Sequence, residues 1–185
     1  MQITEKHITT IMPQAHNNSN LSLYVTYING YAEKFHIDTP LRMAHFLAQV
    51  AHETSELRYM KELGAESHFS RYEQGKLKQA LGNTQKGDGK KYRGRGFMQL
   101  TGRANYQAYQ DSPYCRGDIM RQPGLLEQPL GAVKSGMWYW MTRKLNQAAD
   151  KDEVMLVTRL INGGTNGLAS RKTYLARAKK ALGIV

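Results

Sequence analysis

The chain has 185 residues, which suits one domain, and its 41% hydrophobic and 22% charged residues exclude a chain that is disordered throughout. It carries 26 lysine and arginine residues against 15 acidic residues, and the net charge of +11 favours polyanionic partners such as nucleic acid, an anionic envelope or an anionic lipid face. A solubility charge with no partner is the alternative. The single cysteine, Cys115, excludes an intrachain disulfide, and we expect an unreactive thiol because nothing near it in sequence would activate it.

The first 13 residues contain three charged or ionisable residues, Glu5, Lys6 and His7, and they include neither an apolar run nor a small-residue cleavage site. They are therefore not predicted to be a secretory signal. No stretch approaches the roughly 18 apolar residues that a membrane span needs. If the substrate lies outside the plasma membrane, we expect another protein to deliver this one to it.

Hydrophobic periodicity predicts a mainly helical chain. Apolar residues recur with a period near 3.6 over residues 20–35, and Asp38-Thr39-Pro40 is a typical helix start that leads into an apolar stripe ending near Thr54. Further helices are predicted over residues 129–144, 152–161 and 170–182, with Asn162-Gly163-Gly164 as a stop signal. Strand signals are weak and allow at most a small hairpin, near residues 57–63 or 97–101.

Residues 67–91 are polar and contain six lysine or arginine residues and four glycines. We expect them to form a small lobe or flap over a cleft, with residues 82–89 as an exposed turn or mobile loop. The larger lobe would then comprise residues 1–66 and 92–185 of a single domain. The last predicted helix is basic, and a solvated face is favoured for Arg171 and its neighbours Lys172, Arg177, Lys179 and Lys180 over a surface that disturbs anionic membranes.

Acidic residues are scarce, but four of the fifteen lie within fourteen residues: Glu53, Glu56, Glu62 and Glu66. Hydrolysis of a glycosidic bond usually needs two carboxyl groups, one that donates a proton and one that activates water or attacks. Glu53 ends the apolar helix, where partial burial would raise the pKa of its carboxyl group. Nine helical steps would place Glu62 on the opposite face, so we expect the chain to leave the helix at residues 57–61.

Other chemistries find less support in the sequence. His52-Glu53 could begin a zinc motif, but position 56 is Glu56 where the motif needs histidine, so no metal is expected. No glycine-rich phosphate loop has the required spacing. The run from Lys90 to Phe97 resembles a basic, aromatic nucleic-acid strand only weakly, because a second aromatic platform is missing.

Four segments of the chain stand out together: His52-Glu53-Thr54, the run Tyr92-Arg93-Gly94-Arg95-Gly96-Phe97-Met98-Gln99-Leu100-Thr101, Asn105-Tyr106 and Ile161-Asn162-Gly163-Gly164. In their residues and in their order, these segments resemble glycoside hydrolase family 19. The likeness spans roughly residues 41–180 and is greater to the phage endolysin branch than to the plant chitinases.

The resemblance implies a mainly α, lysozyme-like fold with two lobes and a central cleft, and inverting hydrolysis of β-1,4-linked amino sugars. It implies that Glu53 is the general acid, that Glu62 is the general base with Glu66 as the spare candidate, and that Thr101 positions the water. No cofactor is expected. Seven further residues are expected to bind substrate, although the two tyrosines could equally be core: His52, Tyr92, Arg95, Gln99, Asn105, Tyr106 and Asn162.

One departure bears on the substrate. Plant members carry Gly-Gly after His-Glu-Thr-Thr, whereas this chain has Ser55-Glu56, which makes chitin a less expected substrate. We expect a monomeric endolysin that degrades bacterial peptidoglycan, does not bind nucleic acid, and stays in the host cytoplasm until a membrane pore releases it. Its basic surface could hold it to the anionic envelope. The alternatives are a chitinase, a non-catalytic wall-binding module, and a basic antimicrobial or nucleic-acid-binding protein.

Overall fold

A computed structural model describes residues 1–184, and within them the chain forms eleven α-helices joined by short 3₁₀ turns and loops. The helices are α1 (Glu5–Ile11), α2 (Leu21–Tyr31), α3 (Pro40–Glu53), α4 (Glu66–Ser70), α5 (Gly75–Leu81), α6 (Asp88–Lys91), α7 (Arg103–Gln110), α8 (Pro129–Thr142), α9 (Asn146–Ala149), α10 (Val154–Asn162) and α11 (Leu168–Ala181). Within the described chain, β structure is confined to two isolated bridges, which pair Arg95 with Lys61 and with Leu100. The mainly helical class is therefore confirmed.

The chain divides into two compact units. The first comprises residues 1–59 and 137–185, and the second comprises residues 60–136. The predicted small lobe of residues 67–91 is thus only a part of the second unit. Within the described helices, none combines the length and apolar character that a membrane crossing requires.

Helix α3 is the centre of the first unit. It begins as the sequence predicts, because the Thr39 side chain accepts a hydrogen bond from the backbone of Arg42 (3.2 Å) and Pro40 occupies the first turn. Every residue from Met43 to Ala51 is buried, including the polar His45 and Gln49. The main partner of α3 is α11, which packs along it.

The chain leaves the helical path directly after Glu53. Ser55, Glu56 and Leu57 have φ angles of 49°, 62° and 65°, a left-handed conformation that side chains rarely adopt. The Thr54 hydroxyl stabilises this turn, since it donates to the Val50 carbonyl (2.7 Å) and accepts from the Leu57 amide (2.8 Å). The predicted break after the helix is confirmed, and it lies about two residues earlier than expected.

Residues 67–91 fold against the rest of the second unit rather than forming a loose flap. Asp88 is 2% exposed and accepts hydrogen bonds from the Thr84 and Gln85 amides and from Arg103. Gly89 lies so close to the Phe69 carbonyl that a Cβ atom would come within 2.2 Å of it. The prediction of an exposed or mobile loop over residues 82–89 is therefore wrong at its end, where polar side chains satisfy each other internally.

Candidate active site

Glu53 is the last residue of α3, and its side chain is 17% exposed. Its Oε1 accepts a hydrogen bond from Arg171 Nη2 at 2.6 Å. Arg171 projects from α11, is 2% exposed, and also donates to the side-chain oxygen of Gln49. Because Arg171 is held by two partners on α3, it fixes the orientation of the Glu53 carboxyl group.

His52 lies beside Glu53 and contacts the start of α11. Its Nδ1 is 2.6 Å from the Ser170 hydroxyl, and a Cβ atom on Gly167 would come within 2.2 Å of its ring. Burial, followed by the nearby Arg171 guanidinium, lowers the pKa of His52. The imidazole is therefore neutral at pH 7, and it supports the end of α3 without adding a positive charge.

Glu56 is an anchor rather than a free surface acid. Its two carboxyl oxygens accept hydrogen bonds from the Gln14 amide (2.7 Å) and from the Tyr174 hydroxyl (2.9 Å). Burial and then the Glu56 carboxylate raise the pKa of Tyr174 to about 12, so this hydroxyl stays protonated and keeps donating. These contacts tie the left-handed turn after α3 to α11.

Glu62 belongs to the second unit and lies in a denser hydrogen-bond network. Its Oε1 accepts from the Tyr72 hydroxyl (2.6 Å) and from His68 Nε2 (2.7 Å), and its Oε2 accepts from the Gly94 amide (3.0 Å). Arg71 is 2.7 Å from the other ring nitrogen of His68. Since an arginine can only donate, that nitrogen accepts and the Nε2 proton faces Glu62.

The network around Glu62 sets its protonation. Burial would raise the pKa of Glu62, but the hydrogen bonds from Tyr72, Gly94 and His68 together outweigh burial and lower it. Burial and the Glu62 charge raise the pKa of Tyr72, which keeps its hydroxyl protonated. Glu62 is therefore held as a carboxylate at neutral pH. Glu66, the spare candidate, has a side chain 68% exposed and pairs with Lys90 at the surface.

Gly94 brings three of the predicted site residues together within the second unit. Its amide donates to Glu62, and a Cβ atom at this position would lie 2.9 Å from the side-chain oxygen of Gln99 and 3.2 Å from the Thr101 hydroxyl. Thr101 donates to the Gln99 carbonyl (2.8 Å), and Asn105 donates to the Thr101 carbonyl (2.7 Å). The Thr101 hydroxyl and the Glu62 carboxylate thus both lie close to Gly94, where the absence of a side chain leaves room for them.

Three predicted substrate contacts are buried instead. Tyr92 is 1% exposed and Tyr106 is 0% exposed, and their rings pack against each other. Arg95 is 6% exposed, with its guanidinium bound by Glu127 (2.7 Å) and by the Tyr106 hydroxyl (3.0 Å). As placed, these side chains offer no surface to a sugar, so the structure corrects their predicted role to packing.

Asn162, the remaining predicted contact, is exposed at the end of α10 in the first unit. Its side chain donates to the Asn166 carbonyl and accepts from the Gly164 amide, both at 2.9 Å. It therefore shapes the loop between α10 and α11, and its second role as a sugar contact stays a prediction.

The prediction of a solvated basic face missed Arg171, which is buried and binds Glu53. A sequence signal was available, because Arg171 shares helical spacing with the buried residues Leu175 and Ala178. His68 and Tyr72, which bind Glu62, were also missed, and their short spacing to Glu62 is the only signal they give. Within residues 1–184, no cluster of three histidine, cysteine or acidic residues is arranged to hold a metal ion.

Comparison with known proteins bears on the family of the chain. The family model of glycoside hydrolase family 19, described as class I chitinase, matches residues 27–169. A glycosyl hydrolase family 19 domain-containing protein of Haemophilus influenzae is 32% identical, with 95% of this chain and 96% of the relative covered. An endochitinase of Arabidopsis thaliana is 29% identical over 80% of this chain and 55% of its own length.

Among solved structures, chitinase C of Streptomyces griseus has a similar fold, with a TM-score of 0.76, 24% identity and coverage of 98% of this chain and 92% of the chitinase. The mainly helical, lysozyme-like fold and the matched family together define a glycosidase that acts on a polysaccharide. The chain belongs to glycoside hydrolase family 19.

Proposed function

We propose that this glycosidase is an endolysin, a lysozyme-type enzyme that cleaves β-1,4 bonds between the amino sugars of bacterial peptidoglycan and so lyses the cell. The observation that carries the proposed mechanism is the state of Glu62, a carboxylate that accepts three hydrogen bonds and whose pKa is lowered. A general base must be ionised at the working pH, and this network keeps Glu62 ionised.

Glu62 would remove a proton from a water molecule that attacks the anomeric carbon. The Thr101 hydroxyl, which lies on the same glycine-supported segment, would orient that water. Because the water attacks directly and no sugar is bound covalently, the configuration at the anomeric carbon inverts. Proton NMR during the first minutes of hydrolysis should therefore record the α anomer as the first product of a β-linked substrate.

Glu53 would protonate the leaving oxygen. Among residues 1–184, Arg171 is the hydrogen-bond partner of its Oε1, and no partner is present for its Oε2. Oε2 is therefore the oxygen that remains for the transferred proton, while Arg171 fixes the carboxyl plane. We accordingly assign the acid to Glu53 and the base to Glu62.

The charge of the protein supports peptidoglycan over chitin. Chitin is an uncharged polymer of N-acetylglucosamine, whereas peptidoglycan carries carboxylates on its peptide stems. A net charge of +11 would raise the local concentration of enzyme on an anionic polymer and would bring no gain on a neutral one. The departure from the plant pattern at Ser55-Glu56 agrees with this choice.

A comparison of two substrates tests the proposal. Initial rates are measured on purified peptidoglycan and on chitin hexamer, at low and at high salt. We expect turnover of peptidoglycan that weakens at high salt, because screening removes the electrostatic attraction. Turnover of chitin hexamer without release of sugar fragments from peptidoglycan would contradict the proposed substrate and favour a chitinase. The Arabidopsis and Streptomyces proteins are named as chitinases.

Of the two non-enzymatic alternatives, membrane disruption is tested by Glu53→Gln and a wall-binding module by the unaltered protein. Lysis of cells that persists in this variant would favour disruption of anionic membranes by the basic α11 and would contradict the proposal. A wall-binding module would retain binding to peptidoglycan and release no sugar fragments even as the unaltered protein.

A further inference from the structure

A basic pocket lies between α1 and α11. Its residues are distant in sequence from Glu53, the proposed catalytic residue of the first unit. The pocket has a volume of about 530 Å³ and is lined by Lys6, His7, Thr10, Arg177, Lys180 and Ala181. The two helices pack against each other, so exposed side chains from both surround one space. We refer to these six residues as the α1–α11 pocket.

The cations of the α1–α11 pocket have no acidic partner among the described residues. Within residues 1–184, Lys6, Arg177 and Lys180 have no carboxylate within ion-pair distance, whereas the adjacent Lys179 is bound to Asp152. Glu5, the acidic residue of α1, is not among the lining residues. Three like charges around one space repel each other, which is a cost to stability that a bound anion would remove.

The His7 ring adds a further donor to the pocket. The His7 Nδ1 accepts a hydrogen bond from the Thr4 amide (3.2 Å), so a neutral His7 ring carries its proton on Nε2. The Thr10 hydroxyl lies on the same face of α1 but donates its one proton to the Lys6 carbonyl (2.7 Å), and Arg177 lies over the Tyr174 ring at 5.6 Å. A guanidinium, two ammonium groups and a ring N–H form a set of donors that suits a group with several acceptor oxygens and a negative charge.

We propose that the α1–α11 pocket binds a phosphate group. Phosphate offers three or four acceptor oxygens to converging donors, and arginine matches its geometry with paired N–H groups. A single carboxylate would satisfy fewer of the four donor groups, and an uncharged sugar would leave the three cations unneutralised. The ligand class is a phosphate mono- or diester, and the site would hold the enzyme on phosphate-bearing material independently of glycosidic cleavage.

The test is a titration of the full chain with inorganic phosphate, in which amide chemical shifts are recorded by NMR. Chloride keeps the ionic strength constant. We expect saturable shifts confined to α1 and to the last turns of α11. The double variant Lys6→Gln/Lys180→Gln should weaken phosphate binding by about tenfold or more, since each charged hydrogen bond contributes substantially. Its hydrolysis of a soluble sugar substrate should stay unchanged, which separates this site from the proposed catalytic function.

The matched control is Lys76→Gln/Lys78→Gln, which removes the same charge from α5 in the second unit. An equal loss of phosphate binding in this control, or shifts spread over the whole surface, would show general charge attraction and overturn the proposal. Absence of saturable shifts would also overturn it.

A second arm identifies the source of the phosphate. Cosedimentation with phosphatidylglycerol vesicles but not with phosphatidylcholine vesicles, lost in Lys6→Gln/Lys180→Gln and kept in the control, would assign the site to an anionic lipid headgroup. Binding of inorganic phosphate without vesicle binding would support the site and assign it to free or non-lipid phosphate.

Discussion

Glu53 and Glu62 belong to different units and are held in opposite ways. Glu53 accepts one charged hydrogen bond, from Arg171, a residue 118 positions later in the chain. Glu62 accepts three hydrogen bonds on both oxygens, from Tyr72, His68 and the Gly94 amide, all within the second unit. The first arrangement orients a carboxyl group and leaves one oxygen available, whereas the second binds both oxygens of its carboxylate. In the proposed mechanism, Glu53 therefore donates the proton and Glu62 removes one.

The largest effect is expected from Glu53→Gln, which keeps the shape of the side chain and removes the transferable proton. Turnover of peptidoglycan should fall by about a thousandfold, in the range that general acid catalysis contributes. Initial rates from reducing-end assays, with circular dichroism to show an intact fold, measure this. Glu66→Gln is the control, because Glu66 is exposed and pairs with Lys90 at the surface.

Glu62→Gln should lower turnover by about a hundredfold or more, because the water loses its base. The amide can still accept from Tyr72, so the fold should persist. The same rate assay applies. If Glu66→Gln abolished activity while Glu62→Gln did not, the base would be Glu66, and the assignment of Glu62 as the base would be wrong.

Gly167→Ala should disrupt the surroundings of Glu53 without touching those of Glu62. Gly167 has φ of +72°, and a new Cβ atom would come within 2.2 Å of the His52 ring. The free energy of unfolding should fall by about 2 kcal/mol, from strain and overpacking together. Urea denaturation measures it. Gly164→Ala is the control, since no atom lies within 4 Å of its Cβ position and stability should be nearly unchanged.

Tyr72→Phe should have the smallest effect on turnover, and it should change the surroundings of Glu62 and not those of Glu53. Removing the hydroxyl deletes a hydrogen bond that lowers the pKa of Glu62, so that pKa rises. The ionised base is present above its pKa and is lost as pH falls through it. The acidic limb of the pH–rate profile should therefore move to higher pH, with little change at pH 7. Tyr27→Phe, on α2, should leave the profile in place, and an unmoved limb in Tyr72→Phe would contradict the assigned network.

The sequence predicted the local part of the Glu53 site well. Apolar spacing and the Thr39-Pro40 start define α3, and the expected departure from the helix occurs at residues 55–57. Arg171 was misassigned because its partner is 118 positions away, and a charged residue on a basic helix is usually solvated. Its burial depends on how α11 packs on α3, which no single stretch of sequence contains.

The Glu62 site was harder to predict. The segment around it is polar, and a polar stretch gives no periodic signal to show which side chains bind each other. Glu62, His68 and Tyr72 meet through the short helix α4 and the 3₁₀ turn that follows it. Tyr92 and Tyr106 illustrate the same difficulty, because tyrosine suits both a sugar-binding surface and a core, and only packing decides.

Mass spectrometry of the soluble fragments released from purified peptidoglycan tests the central claim most directly. The unaltered enzyme and Glu66→Gln should release fragments with new sugar reducing ends, while Glu53→Gln and Glu62→Gln should release almost none. The identity of the reducing sugar also defines which glycosidic bond is cut. Equal release by Glu53→Gln, or fragments without new reducing ends, would contradict the assignment of Glu53 and Glu62 as the acid and base of a peptidoglycan glycosidase.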